Sequence, residues 1–193
     1  MSLTVVVIDR SPPVRHTQGN ELIARHLFAR LRRDHRIVLV APVVGPIEFA
    51  RDAVADLFDD VHLVPRAARV AALAGFVESH LAALPVGLPG PLDPGAARRL
   101  ETVVTRVVAA EDPDVLHVRQ LPMAKYGALG GSRPRLLELI DSEALASARD
   151  PDRSVRSGLR RRIAPALERR AIRGYDAVTT VAEPDAAAVR ALL

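Results

Sequence analysis

Residues 4–41 read TVVVIDRSPPVRHTQGNELIARHLFARLRRDHRIVLVA, and this stretch decides the fold. Thr4–Asp9 is a run of β-branched apolar residues closed by a carboxylate, the pattern of a strand buried on both faces. A loop with Pro12, Pro13 and Gly19 follows. Over Asn20–Arg33, Leu22, Ile23, His26, Leu27, Ala29 and Leu31 recur near helical spacing, with Arg25, Arg30, Arg32 and Arg33 placed outward. Arg36–Ala41 is a second apolar run, expected to stop at Pro42. Strand, crossover helix and strand in this order make a parallel pair.

The alternation continues along the chain. A short third strand is expected at Val61–Val64, and a helix around Ala67–Leu84. Pro85–Gly95, rich in proline and glycine, reads as irregular. Ala96–Ala110 is an amphipathic helix with Leu100, Val103, Val104, Val107 and Val108 inward. Strands follow at Val115–Val118, Arg135–Ile140 and Ala177–Val181, with a basic helix over Arg153–Arg173 and a last helix from Glu183. The expected fold is α/β, a doubly wound parallel sheet with helices on both faces and strand order 3-2-1-4-5-6.

Composition narrows the function classes. The chain has 193 residues, room for one well-cored domain, and no Cys, which excludes disulfides, thiolate metal sites and a Cys nucleophile. Net charge is +4, but all basic residues except Lys125 are Arg, a bias expected of a GC-rich genome rather than of a nucleic-acid partner. Aromatic residues are only 3%, so stacking platforms for bases are scarce, and no nucleic-acid partner is expected. Leu3–Ile8 is too short for a signal peptide or a span, and no stretch of about 18 apolar residues follows, which points to a cytoplasmic protein. The six His show no metal spacing, and GxSxG, P-loop and GxGxxG motifs are lacking. No metal and no cofactor are expected.

The chemistry-bearing residues cluster after strands. Gly19 and Asn20 open a helix at the end of the first strand, where backbone N–H groups favour a phosphate; equally, they make a plain turn with Asn20 as N-cap. His117 and Arg119 share a face of the fourth strand and Gln120 follows it. Arg119 suits either an external anion or a structural ion pair, and His117 either a cleft or a satisfied core position. Asp141 and Glu143 follow the fifth strand; a carboxylate there orients a sugar hydroxyl or acts as a base, or Asp141 caps the next helix. The segment from Asp152 to Arg173 carries eight Arg against Asp152 and Glu168. Arg156, Arg160 and Arg162 are its candidates for an anionic membrane face, the alternative being an ordinary solvated surface.

Several segments carry a resemblance. VVVIDRSPPVRHTQGNELIARHLFARLRRDHRIVLVAP, PDVLHVRQLPMAKY, RLLELIDSEAL and YDAVTTVAEPDAAAVRAL, in this order over nearly the whole chain, are similar to the N-terminal domain of family-4-like glycosyltransferases. Arg119 stands where the family has a second His, Gln18 where it commonly has a glycine, and Ala182 where it has Ser. The resemblance implies one Rossmann-like half of a GT-B architecture spanning residues 1–193, with the nucleotide-sugar domain absent and the chain inactive alone. It implies that Gln18, Gly19 and Asn20 face the donor diphosphate, while His117, Arg119, Gln120, Asp141 and Glu143 line the acceptor side. Expected partners are a nucleotide sugar, an acceptor glycan or lipid-linked acceptor, the missing domain, and peripherally the inner membrane face. Rival readings are a Rossmann-type oxidoreductase or epimerase domain, disfavoured by the long loop after the first strand, and a non-catalytic membrane-docking module.

Overall fold

The computed structural model describes residues 2–14, 19–66, 94–152 and 155–193. Gln18, the helix expected at 67–84 and residues 85–93 lie outside them. Six parallel strands form one sheet in the order β3-β2-β1-β4-β5-β6, with β1 Thr4–Ile8, β2 Arg36–Val43, β3 Asp60–Pro65, β4 Val115–Arg119, β5 Arg135–Leu139 and β6 Ala177–Thr180. This is the expected doubly wound order. The helices are α1 Gly19–Leu31, α2 Ile47–Asp52, α3 Pro94–Glu111, α4 Glu143–Arg149, α5 Val155–Ile172 and α6 Glu183–Leu192, with a 3-10 segment over Leu121–Gly130. No described helix is long and apolar enough to cross a membrane.

Alternation along the strands sorts side chains onto two faces. Val6, Ile8, Val38, Val40, Leu116 and Val118 pack under Leu100, Val104 and Val107 of α3. Val5, Val7, Ile37 and Leu39 meet Ala24 and Phe28 of α1, with Leu57 and Phe58 closing that layer. The inward set of α3 is therefore the one its sequence predicts.

Three local expectations fail. β2 runs through Pro42, which is in register with Val64 of β3. Val40 accepts from Asp9 N–H, so Pro42, of the same parity, directs its missing donor toward the side that β1 has already left. α3 begins at Pro94 rather than Ala96; proline fits the first helical position because no acceptor waits for an N–H there. On α1 the buried residues are Ala24 and Phe28, whereas Leu22 and Ile23 are about 40% exposed. Arg25 turns inward enough to donate to the carbonyls of Pro13 and Ala53.

Candidate functional site

A cleft of about 140 Å³ opens beyond the ends of β1, β4 and β5, beside the point where strand order reverses between β1 and β4. Such a crevice is where open α/β sheets bind ligands. Arg10 from the end of β1, Gln120 and Pro122 from the end of β4, and Ile140, Asp141 and Glu143 from the end of β5 line it. Gln120, Asp141 and Glu143 thus come together from separate segments. Two larger hollows, about 360 and 310 Å³, flank β6 and β3 away from this crossover.

His117 and Arg119 do not line the cleft. Both are under 5% exposed and face the α1 side of the sheet. Arg119 offers two donors to Glu138, Nε to Oε2 at 2.9 Å and Nη2 to Oε1 at 3.0 Å, and a third, Nη1, to Asp9. Its Nη2 also reaches the carbonyl of Asn20 at 3.4 Å. The guanidinium that sequence left open between an external anion and an internal pair is occupied internally. Its carbon sits 5.6 Å from the centre of the Phe28 ring, and the same ring is 5.7 Å from the His117 ring. His117 Nε2 is 2.9 Å from Glu138 Oε2 but is not aligned for a hydrogen bond.

The electrostatics follow from burial and stoichiometry. Burial disfavours the Glu138 carboxylate, but His117 and the Arg119 fork outweigh it and hold its pKa down to about 2. Burial pushes the Asp9 carboxyl up; Arg119 opposes this with one nitrogen only, and Glu138 adds like-charge repulsion. One guanidinium serves two carboxylates, and the one holding its fork is the better neutralised.

This cluster meets the cleft through Gln120. Asp9 Oδ1 accepts from the Gln120 side-chain amide at 3.3 Å and from Arg10 N–H at 2.7 Å. Gln120 has φ 70° and ψ 140°, a region L-residues rarely adopt. Its N–H donates to the Glu138 carbonyl at 2.8 Å, so the backbone stays on the β4–β5 ladder while the chain turns into the 3-10 segment.

On the β5 side, Ser142, not Asp141, caps α4: its hydroxyl accepts from Leu145 N–H at 3.2 Å. Asp141 is exposed at the cleft. Glu143 accepts from Arg160 of α5 at 2.7 Å, so Arg160 is not free to face a membrane. Gly19 starts α1, and Asn20 Oδ1 accepts from Glu21 N–H at 2.9 Å. Among the described residues, no group of three or more His, Asp or Glu could hold a metal ion.

Asp9 and Glu138 are the buried partners that sequence reading missed. Asp9 shares parity with Val7, and Glu138 is the polar residue inside RLLEL; each lies opposite the strand carrying Arg119.

No protein-family model matches the chain, and no curated protein matches it. Solved structures do. A protein from Listeria monocytogenes described as a UDP-N-acetylglucosamine 2-epimerase superposes with a TM-score of 0.52 at 12% identity, over 99% of this chain and 42% of that one. UGT89C1 of Arabidopsis thaliana, solved with UDP-L-rhamnose, gives 0.53 at 15% identity over 94% and 45%. The chain has the fold of one half of a GT-B protein. It spans less than half the length of these neighbours. At such identities the likeness extends to the fold, a Rossmann-like parallel sheet with flanking helices, and not to individual residues.

Proposed function

We propose that this chain is the acceptor-side half of a GT-B glycosyltransferase, which passes a sugar from a nucleotide donor to an acceptor hydroxyl. The observation that carries the reading is the polar cleft beyond the ends of β1, β4 and β5, with Asp141 exposed in it and Gln120 hydrogen-bonded to Asp9 of the buried ion cluster. Asp141 orients or deprotonates the acceptor hydroxyl, and Gln120 hydrogen-bonds sugar hydroxyls. Arg10 and the α1 start at Gly19 and Asn20 face the donor phosphates supplied by a second half. Arg119, Asp9, Glu138 and His117 act from beneath, as positioning residues. The fold neighbours include one protein described as a UDP-N-acetylglucosamine 2-epimerase and one solved with UDP-L-rhamnose; the family resemblance of the sequence favours transfer.

The test uses a polypeptide carrying both halves, incubated with UDP-, TDP- and GDP-sugars and a panel of free and lipid-linked glycans. Acceptor-dependent release of nucleoside diphosphate is expected, falling at least about a hundredfold in Asp141→Asn if the carboxylate is the base. Gly19→Val is expected to fold normally, since among the described residues a Cβ there meets no atom within 4 Å, and to lose transfer. Interconversion of nucleotide sugars without acceptor would place the chain with the epimerases, and no turnover of any nucleotide sugar would reject the reading.

A further inference from the structure

The arginine excess of α5 is not uniform around the helix. At about 100° per residue, Arg160 and Arg162 lie about 200° apart, so Arg156, Arg160 and Arg162 cannot share one face. Arg160 turns to Glu143. Arg161 is spent on the carbonyls of Ser147, Asp150 and Asp152. Glu168, the acid expected to offset the charge, is buried and accepts from the Ser142 hydroxyl and Ala144 N–H. The buried side of α5 is Ser157, Ala164, Glu168 and Ala171. Opposite it, Arg162, Arg169 and Arg173 fall within about 20° of one line and Arg170 about 80° from it, over a length of roughly 16 Å. All four are exposed, and none has an ion pair or side-chain hydrogen bond among the described residues. Ala166 and Leu159, the latter 39% exposed, lie on the same face.

We infer that the outer face of α5, formed by Arg162, Arg169 and Arg170 with Arg173 in the turn that follows, docks the protein on an anionic lipid surface. Charge complementarity selects the occupant: among the described residues, four guanidinium groups without an ion pair share one side with apolar Leu159 and Ala166, and no aromatic side chain lies among them for nucleic-acid bases to stack on. The same helix holds Glu143 of the cleft through Arg160, so this face and the cleft belong to one rigid unit. Under the transferase reading, and only under it, this adds a substrate class: an acceptor carried by the membrane this face contacts.

The experiment is cosedimentation of the chain with vesicles of neutral phosphatidylcholine alone or with phosphatidylglycerol added, at low and high salt, without nucleotide sugar; its failure therefore leaves the transferase reading standing. Binding to the anionic vesicles alone, weakened by salt, is expected. Three arginines contribute about fivefold each in partitioning, so Arg162→Gln/Arg169→Gln/Arg170→Gln should bind roughly a hundredfold less. A charge-matched control, Arg30→Gln/Arg33→Gln/Arg106→Gln, changes exposed residues on α1, after it and on α3 and should bind nearly as the parent does. Equal loss in both variants would reduce the effect to net charge and overturn the inference. So would undiminished binding by the first variant, binding to neutral vesicles, no vesicle binding by the parent, or binding of duplex DNA in its place.

Discussion

Replacing Arg119 with Met tests the buried ion cluster most directly. The substitution leaves the Asp9 and Glu138 carboxylates under the sheet, 1% and 5% exposed, without their cation. Holding Glu138 at about 2 against an ordinary 4.5 is shared between His117 and Arg119 and corresponds in total to about 3 kcal/mol of stability; breaking a buried pair by removing one partner typically loses about 3–5 kcal/mol. A comparable loss at pH 7.5 is expected here, against roughly 5–15 kcal/mol for a whole domain. The pH dependence carries the diagnosis. In the parent, the lowered Glu138 pKa gives stability that is present above about 4.5 and lost as pH falls toward about 2, while the raised Asp9 pKa works in the opposite direction above its ordinary 3.8. Without Arg119, burial of the two carboxyls is opposed by His117 at Glu138 and by the Arg10 N–H at Asp9, so both folded pKa values move upward. Relative to the parent the variant therefore loses stability as pH rises, so it falls furthest below the parent at pH 7.5 and the gap narrows toward pH 5. Urea unfolding at pH 7.5, 6 and 5 measures it, with Asp9→Asn/Arg119→Met/Glu138→Gln as a variant in which both carboxylates are neutralised and most of the loss is recovered. A loss below about 1 kcal/mol at pH 7.5, or a gap that stays constant with pH, would refute the reasoning.

Phe28→Ala should destabilise by about 3–5 kcal/mol, because the ring is fully buried, packs 5.1 Å from Phe58 and covers Arg119; chemical denaturation reads it. Gly127→Ala should lower the melting temperature by several degrees, since its methyl group would collide with the Tyr175 hydroxyl, which donates to the Ala124 carbonyl at 2.6 Å. Glu168→Gln keeps an acceptor for Ser142 and Ala144 and should lose less than about 1 kcal/mol, whereas Glu168→Ala strands both donors and should lose about 1–3 kcal/mol. Burial raises the Glu168 pKa, so its contribution falls as pH rises, and titrating the glutamine variant against the parent should show their difference shrinking.

The sheet was legible because each strand announces itself locally: a β-branched run, a turn, a helical stretch, then the next run. Its order follows from that alternation and the handedness of crossovers. Pro42 misled because proline acts as a breaker only where the ladder needs its N–H, and that depends on where β1 ends. Leu22 and Ile23 misled because helical spacing defines a stripe but not which part of it the sheet covers; Phe28 and Ala24 sit over the sheet, while the first turn of α1 does not. The cleft residues Gln120, Asp141 and Glu143 were legible as polar residues following strands. The buried cluster was not, since Asp9 and Arg119 are separated by 110 positions and only the parallel register of β1, β4 and β5 brings them together. The basic face of α5 likewise depends on which arginines the neighbouring α4 and its flanking carbonyls capture.

Gln120 connects the cluster to the cleft, and its backbone gives a test independent of any substrate. An L-residue at φ 70° and ψ 140° carries strain of about 1–3 kcal/mol and stays there only because its surroundings hold it. Its N–H is bonded to the Glu138 carbonyl, its amide to Asp9, and the preceding Arg119 is fixed by both acids. Glycine adopts this conformation freely. At an ordinary site Gly is less stable than Ala by about 0.4–1 kcal/mol, because it has more unfolded-state freedom to lose. At position 120 the order should invert. Gln120→Ala loses the 3.3 Å hydrogen bond and keeps the strain, whereas Gln120→Gly loses the same bond and releases it. We expect the glycine variant to be more stable than the alanine variant by about 1 kcal/mol in urea unfolding, while both lose the amide that faces the cleft. An alanine variant equal to or more stable than the glycine variant would mean that Gln120 is not strained, and that the buried cluster does not hold the cleft in shape.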